Sequence, residues 1–186
     1  MNTTDYAMCI AEELQRTLKV IDPEAGERLA DAILGAKKIL VAGAGRSGFA
    51  VKSFAMRLMH MGFDAYVVGE TVTPNLEADD LFLAASGSGE TGSLVVMSRK
   101  AKQIGAKLVT VTACPEGSVA ALADIVIHIP APTPKAAMAD TFRSIQPMGS
   151  LFEQSLLLYL DAVVLRLMER RGDDSDTMFT RHANLE

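Results

Sequence analysis

Lys38-Ile39-Leu40-Val41-Ala42-Gly43-Ala44-Gly45-Arg46-Ser47-Gly48 and Asp80-Leu81-Phe82-Leu83-Ala84-Ala85-Ser86-Gly87-Ser88-Gly89-Glu90-Thr91-Gly92 share one design: an apolar run, a G-x-G-x-x-G turn, then a helix-like stretch. Strands of an open parallel sheet direct their carboxyl ends to one edge. Both turns therefore aim backbone N–H groups and helix N-termini at a common crevice. The expected fold is α/β, and the crevice suits a small phosphorylated ligand.

Around these turns, residues 65–68, 107–112 and 125–129 read as further strands, making five with 38–42 and 81–85. Most are continuously apolar, as parallel strands covered on both faces are. Helical stretches at 49–61, 92–104 and 117–123 alternate with them, which predicts a doubly wound five-stranded parallel sheet flanked by helices. The link over 70–79 is short and predicts a helical turn. Ahead of the sheet, Tyr6, Ile10, Leu14 and Leu18 recur every four residues, an amphipathic helix over 5–20. Asp22-Pro23 opens a second helix as N-cap and N1, with Leu29, Ile33 and Leu34 on its apolar face. Residues 130–147 carry four prolines and no clear periodicity, predicting a loop near the site or at an interface. A leucine-rich helix spans about 150–170 and ends on Arg170-Arg171-Gly172, residues suited to a helix C-terminus. The organisation is one domain over 1–186, with N-terminal helices in 1–36, an α/β core in 37–172 and a tail in 173–186.

The 186 residues suffice to bury a core without metal or disulfide support. Hydrophobic residues make up 49%, with 10 Met and no Trp, more than a solitary small domain hides, so buried subunit interfaces are expected. A net charge of −5 without a basic cluster argues against nucleic acid as a partner. No stretch approaches the roughly 20 apolar residues of a membrane span, and the N-terminus lacks a secretory pattern. A cytoplasmic protein without membrane contact is expected. Cys9 and Cys114 have no C-x-x-C spacing, and His60, His128 and His182 are far apart, so no metal, disulfide or cofactor is expected.

The first turn alone admits a dinucleotide, with Glu70 beyond the second strand as the acidic residue for a ribose. Arg46 and Ser47 argue otherwise, placing a cation and a hydroxyl in the turn. Ser86, Ser88 and Thr91 add three hydroxyls, chemistry for phosphate oxygens and sugar hydroxyls. Ser86 and Thr91 also fit a plainer role as helix caps, and both roles use the same orphan N–H groups.

With Gln146-Pro-Met-Gly-Ser-Leu-Phe-Glu153 and Arg181-His-Ala-Asn-Leu-Glu186 added to the two turns, the chain resembles the sugar isomerase (SIS) domain family. Within it, the resemblance is to the 6-phospho-3-hexuloisomerases of the ribulose monophosphate pathway. It extends over nearly the whole chain, including Phe54-Ala-Met-Arg-Leu-Met-His-Met-Gly62 and Val67-Val-Gly-Glu-Thr-Val-Thr-Pro74. It implies a flavodoxin-like fold, a homotetramer with sites near subunit interfaces, and interconversion of D-arabino-hex-3-ulose 6-phosphate and D-fructose 6-phosphate.

Moving a carbonyl from C3 to C2 requires loss of the C2 proton, an enediol or enediolate, and return of a proton at C3. A carboxylate performs this without a redox cofactor, provided donors meet the developing oxyanion. Glu153, at the start of an apolar helix where partial burial suits a base, is the chosen proton shuttle. Its plain alternative is an acidic residue at the positive end of a helix. Arg46, Ser47, Ser86, Gly87, Ser88, Gly89, Glu90, Thr91 and Gly92 are the candidate substrate-binding residues, with Glu90 better suited to a sugar hydroxyl than to the base role. Arg46 alternatively pairs across an interface. Gly149 is a further candidate. On the resemblance, His182 in the tail serves ring opening or polarisation, in its own or a neighbour's site. His60 is a weaker candidate placed near the first turn, and His128 reads as structural. Met56, Met59 and Met61 read as packing residues. Competing functions are another phosphosugar aldose–ketose isomerase, a non-catalytic sugar-phosphate sensor, for which no basic helix-turn-helix precedes residue 38, and an NAD-binding module.

Overall fold

The computed structural model describes residues 1–133 and 143–185. Its centre is a parallel sheet of β1 (Ile39–Gly43), β2 (Ala65–Val67), β3 (Leu81–Ala85), β4 (Lys107–Thr112) and β5 (Ile125–His128), ordered β2-β1-β3-β4-β5. This is the flavodoxin-like order, and it reverses direction at β1/β3. Among the described residues six α-helices accompany it: α1 (Thr3–Leu18), α2 (Pro23–Gly35), α3 (Gly45–His60), α4 (Gly92–Ile104), α5 (Ser150–Arg171) and α6 (Ser175–Phe179).

Alternate strand residues serve opposite faces. Ile39, Val41, Leu83, Val109 and Ile127 pack with Leu29 of α2, Phe54 of α3 and Phe152 and Leu156 of α5. Leu40, Ala42, Phe82, Ala84 and Leu108 pack with Leu94 and Ala101 of α4. Both faces are covered, which is why β1 and β3 read as unbroken apolar runs. Asp22 caps α2 through a bond from the Glu24 N–H with Pro23 at N1, and Gly172 ends α5 at φ 71°, both as the sequence indicates.

Three local expectations are corrected. α3 begins at Gly45, not 49, because the glycines lie in its first turn. A Cβ on Gly48 would stand 2.8 Å from the Gly43 carbonyl oxygen, so glycine lets the helix start against the strand end. The helix expected over 117–123 is a single 3₁₀ turn, Ala120–Leu122. The link over 70–79 holds a short turn and no full helix, as expected: the Thr73 N–H donates to Glu70 O at 3.1 Å, and the Thr73 hydroxyl bonds the Val67 and Glu70 carbonyls. In α1, Tyr6 is exposed and the buried side chains are Glu13 and Thr17. Among the described residues no helix is long and apolar enough to cross a membrane. Of the expected 130–147 loop, 134–142 lie outside the described residues.

Candidate active site

Side-chain oxygens of Asn2, Asp22 and Asp174 cap α1, α2 and α6. By contrast α3, α4 and α5 begin at Ala44, Thr91 and Gly149 without a side-chain cap. An uncapped start presents orphan N–H donors at the positive end of the helix dipole. A cavity of about 450 Å³ lies between the starts of α3 and α5 and the second glycine loop, lined by Arg46 and Ser47 of α3, Gly87 and Ser88 of the loop into α4, and Met148 and Glu153 at the start of α5; Thr91 and Gly92, at the start of α4, are not in its lining. It sits beyond the carboxyl ends of β1 and β3, where the strand order reverses.

Arg46 Nε lies 2.6 Å from Glu153 Oε2, and the Glu153 side chain is only 22% exposed. The candidate base thus rests against the cavity's cation. Gly149 stands beside it: a Cβ there would approach Glu153 Oε1 to 3.5 Å. Gly87 admits the Phe152 ring over the second loop, since a Cβ would meet Phe152 Cδ1 at 3.2 Å.

The plain reading of Ser86 and Thr91 as caps does not hold. Their hydroxyls lie 3.0 Å apart, and Ser86 Oγ accepts from the Gly89 N–H at 3.1 Å. They set the shape of the loop from within and leave the start of α4 open. Glu90 reaches sideways, accepting from the Ser118 N–H at 2.6 Å and hydroxyl at 2.7 Å. These bonds hold its carboxyl below its ordinary range. Glu90 therefore ties the second loop to the β4–β5 connection, and Gly92 opens α4.

His60 is not near the first turn. It ends α3, about 20 Å along the helix axis from Gly45 at 1.5 Å per residue. His182 stacks on His60 with ring centroids 5.4 Å apart and on Phe179 at 5.7 Å. These rings border a second cavity of about 410 Å³ with Arg57 and Asp161. Burial, then the charges of Arg57 and His182, lower the His60 pKa. His182 and Glu153 therefore line separate cavities of one chain. His128 ends β5 exposed. Among the described residues, no His, Cys, Asp and Glu side chains group to hold a metal ion.

Sequence reasoning missed Thr133, Pro147 and Met148, which also line the first cavity. Met148 carries φ 56°, the one left-handed non-glycine residue described. Its motif had drawn attention, but nothing in a methionine announces that backbone.

The SIS domain pattern matches residues 32–158, and the chain belongs to the SIS domain family. At 52% identity over 186 residues, covering all of both chains, it is similar to the 3-hexulose-6-phosphate isomerase of Bacillus subtilis. The enzyme of that name from Mycobacterium gastri is 40% identical, with 98% of this chain and 91% of that one covered. A crystal structure from Methanococcus jannaschii, whose description infers 3-hexulose-6-phosphate isomerase function, superposes with a TM-score of 0.84 at 35% identity, covering 98% and 99% of the two chains.

Proposed function

We propose that this protein interconverts D-arabino-hex-3-ulose 6-phosphate and D-fructose 6-phosphate. The reaction class is carried by one observation: a partly buried carboxylate, Glu153, meets the Arg46 cation at the rim of a cavity between the uncapped starts of α3 and α5 and the second glycine loop. The choice of sugar rests on the full-length likeness to the 3-hexulose-6-phosphate isomerases.

In the forward direction Glu153 removes the proton from C2, the enediolate spans C2 and C3, the hydroxyl proton passes from O2 to O3, and the same carboxylate returns a proton to C3. The developing oxyanion meets backbone N–H donors at the open helix starts. Ser47, Ser88 and the amides of the second loop hold the phosphate, while Ser86, Thr91 and Glu90 keep that loop in shape. Arg46 pairs with Glu153 and turns to the substrate's anionic oxygens when substrate binds, freeing the base. His182 acts in a neighbouring subunit's site, assisting ring opening of fructose 6-phosphate. The hexulose needs no such help, because its O6 carries phosphate and cannot close a five-membered ring.

That arrangement requires an oligomer, and we take the α3–α5 face as its interface. Phe49, Met56, Leu157 and Leu165 expose apolar side chains there. The family resemblance favours a tetramer. A phosphorylated substrate, which does not cross membranes unaided, favours the cytoplasm.

Incubating the protein with fructose 6-phosphate, fructose and pentose and heptose phosphates tests the reading. A 3-ulose should form from fructose 6-phosphate and not from unphosphorylated fructose. Glucose 6-phosphate as product would reassign the protein to another isomerase, and saturable binding without turnover would make it a sensor.

A further inference from the structure

Glu13, a charged residue on α1, is 9% exposed. Its carboxylate collects three donors from one short segment: the Ser144 hydroxyl at 2.6 Å, the Ile145 N–H at 2.8 Å and the Gln146 side-chain amide at 2.9 Å. One turn further along α1, Arg16 donates to the Arg143 carbonyl at 3.0 Å. Burial alone raises the Glu13 pKa, but the bonds from Ser144, Gln146 and Ile145, with the Arg16 charge, more than offset it, and the carboxyl is held below its ordinary range. The segment so gripped runs directly into Pro147, left-handed Met148, Gly149 and the open start of α5 that carries Glu153. A strained residue persists only where its surroundings over-determine it. α5 fixes Met148 from one side, and the α1 clamp fixes it from the other.

We propose that Glu13 is a positioning residue for the active site: by clamping residues 144–146 it holds Met148 in its left-handed conformation and sets the approach of the α5 N-terminus and Glu153 to the cavity. This rests on the isomerase reading for its functional consequence. The clamp is strongest with a carboxylate. A glutamine keeps the Ile145 bond through its amide oxygen only by turning its N–H₂ toward the Ser144 hydroxyl and a flipped Gln146 amide, which exchanges charge-assisted bonds for weaker neutral ones.

The test compares Glu13→Gln and Glu13→Ala with Asp22→Ala, which weakens α2 by removing its cap and touches nothing in the clamp. Isomerisation of fructose 6-phosphate should fall about tenfold or more in kcat for both Glu13 variants at temperatures where all are folded, with a smaller rise in KM. Asp22→Ala should keep kcat within about twofold despite its lower melting temperature, in line with a stability-only change. Adding Met148→Gly to Glu13→Ala should recover part of the lost kcat, because glycine adopts φ 56° without the clamp. Wild-type kcat in Glu13→Gln, or a loss in Asp22→Ala as large, would overturn the proposal. Amide hydrogen exchange over 147–153 decides it independently of substrate. Faster exchange in Glu13→Gln than in wild type supports the clamp, and unchanged exchange overturns it even if the protein proves not to be this isomerase.

Discussion

Arg46 and Gly48, two residues apart in the first turn of α3, are held to different constraints. The Arg46 guanidinium is the cavity's cation and the partner of Glu153 at 2.6 Å. Arg46→Ala is expected to raise KM for fructose 6-phosphate by about tenfold to a hundredfold, the worth of a charge-assisted bond. Arg46→Lys should recover only part of this, since an ammonium lacks the planar fork. Steady-state kinetics on both variants checks the point, and an unchanged KM in Arg46→Ala would remove Arg46 from substrate binding. Gly48 answers to backbone sterics, because a Cβ would lie 2.8 Å from a carbonyl oxygen that cannot swing away. Gly48→Ala is expected to destabilise by about 1–3 kcal/mol as an overpacking change. A denaturant titration measures it, and a loss below about 0.5 kcal/mol would contradict the close approach.

At the scale of elements, α3 links the two cavities, with its N-terminus in one and His60 in the other. The lowered His60 pKa means the folded chain binds fewer protons than the unfolded chain below about pH 6.5, the ordinary histidine range. Stability from this group is therefore present above that pH and is lost as the pH falls. Burial weighs most against protonation of the ring, and the charges of Arg57 and His182 add to it. His60→Gln should flatten the fall in melting temperature between about pH 7 and 5, and an identical pH profile would contradict the assignment. The same helix shows what a sequence conveys. The strands were legible because β1, β3 and β4 are buried on both faces, and α4 because its glycine turn and Gly105 bracket it. The start of α3 was misplaced because glycines read as loop until the strand-end contact is seen. His60 was misplaced because a helix carries its last residue far from its first. Glu153 was legible from its motif. Glu13 was not, because its partners lie more than 130 residues away in sequence.

For the whole molecule, the separation of His182 from Glu153 within one chain makes shared sites the critical expectation. If each site takes Glu153 from one subunit and His182 from its neighbour, mixing and reassociating inactive Glu153→Gln with inactive His182→Ala should restore about a quarter of wild-type activity for pairwise exchange. Mixtures as inactive as their parents would confine each site to one chain. The central claim, that Glu153 moves a proton between C2 and C3 of a phosphorylated hexulose, is tested most directly by proton NMR of fructose 6-phosphate in D₂O. Wild-type protein should replace the C3 proton with deuterium, and Glu153→Gln, folded to the same melting temperature, should slow this by about a hundredfold or more. Exchange at C1 in place of C3, or C3 exchange undiminished in Glu153→Gln, would contradict it.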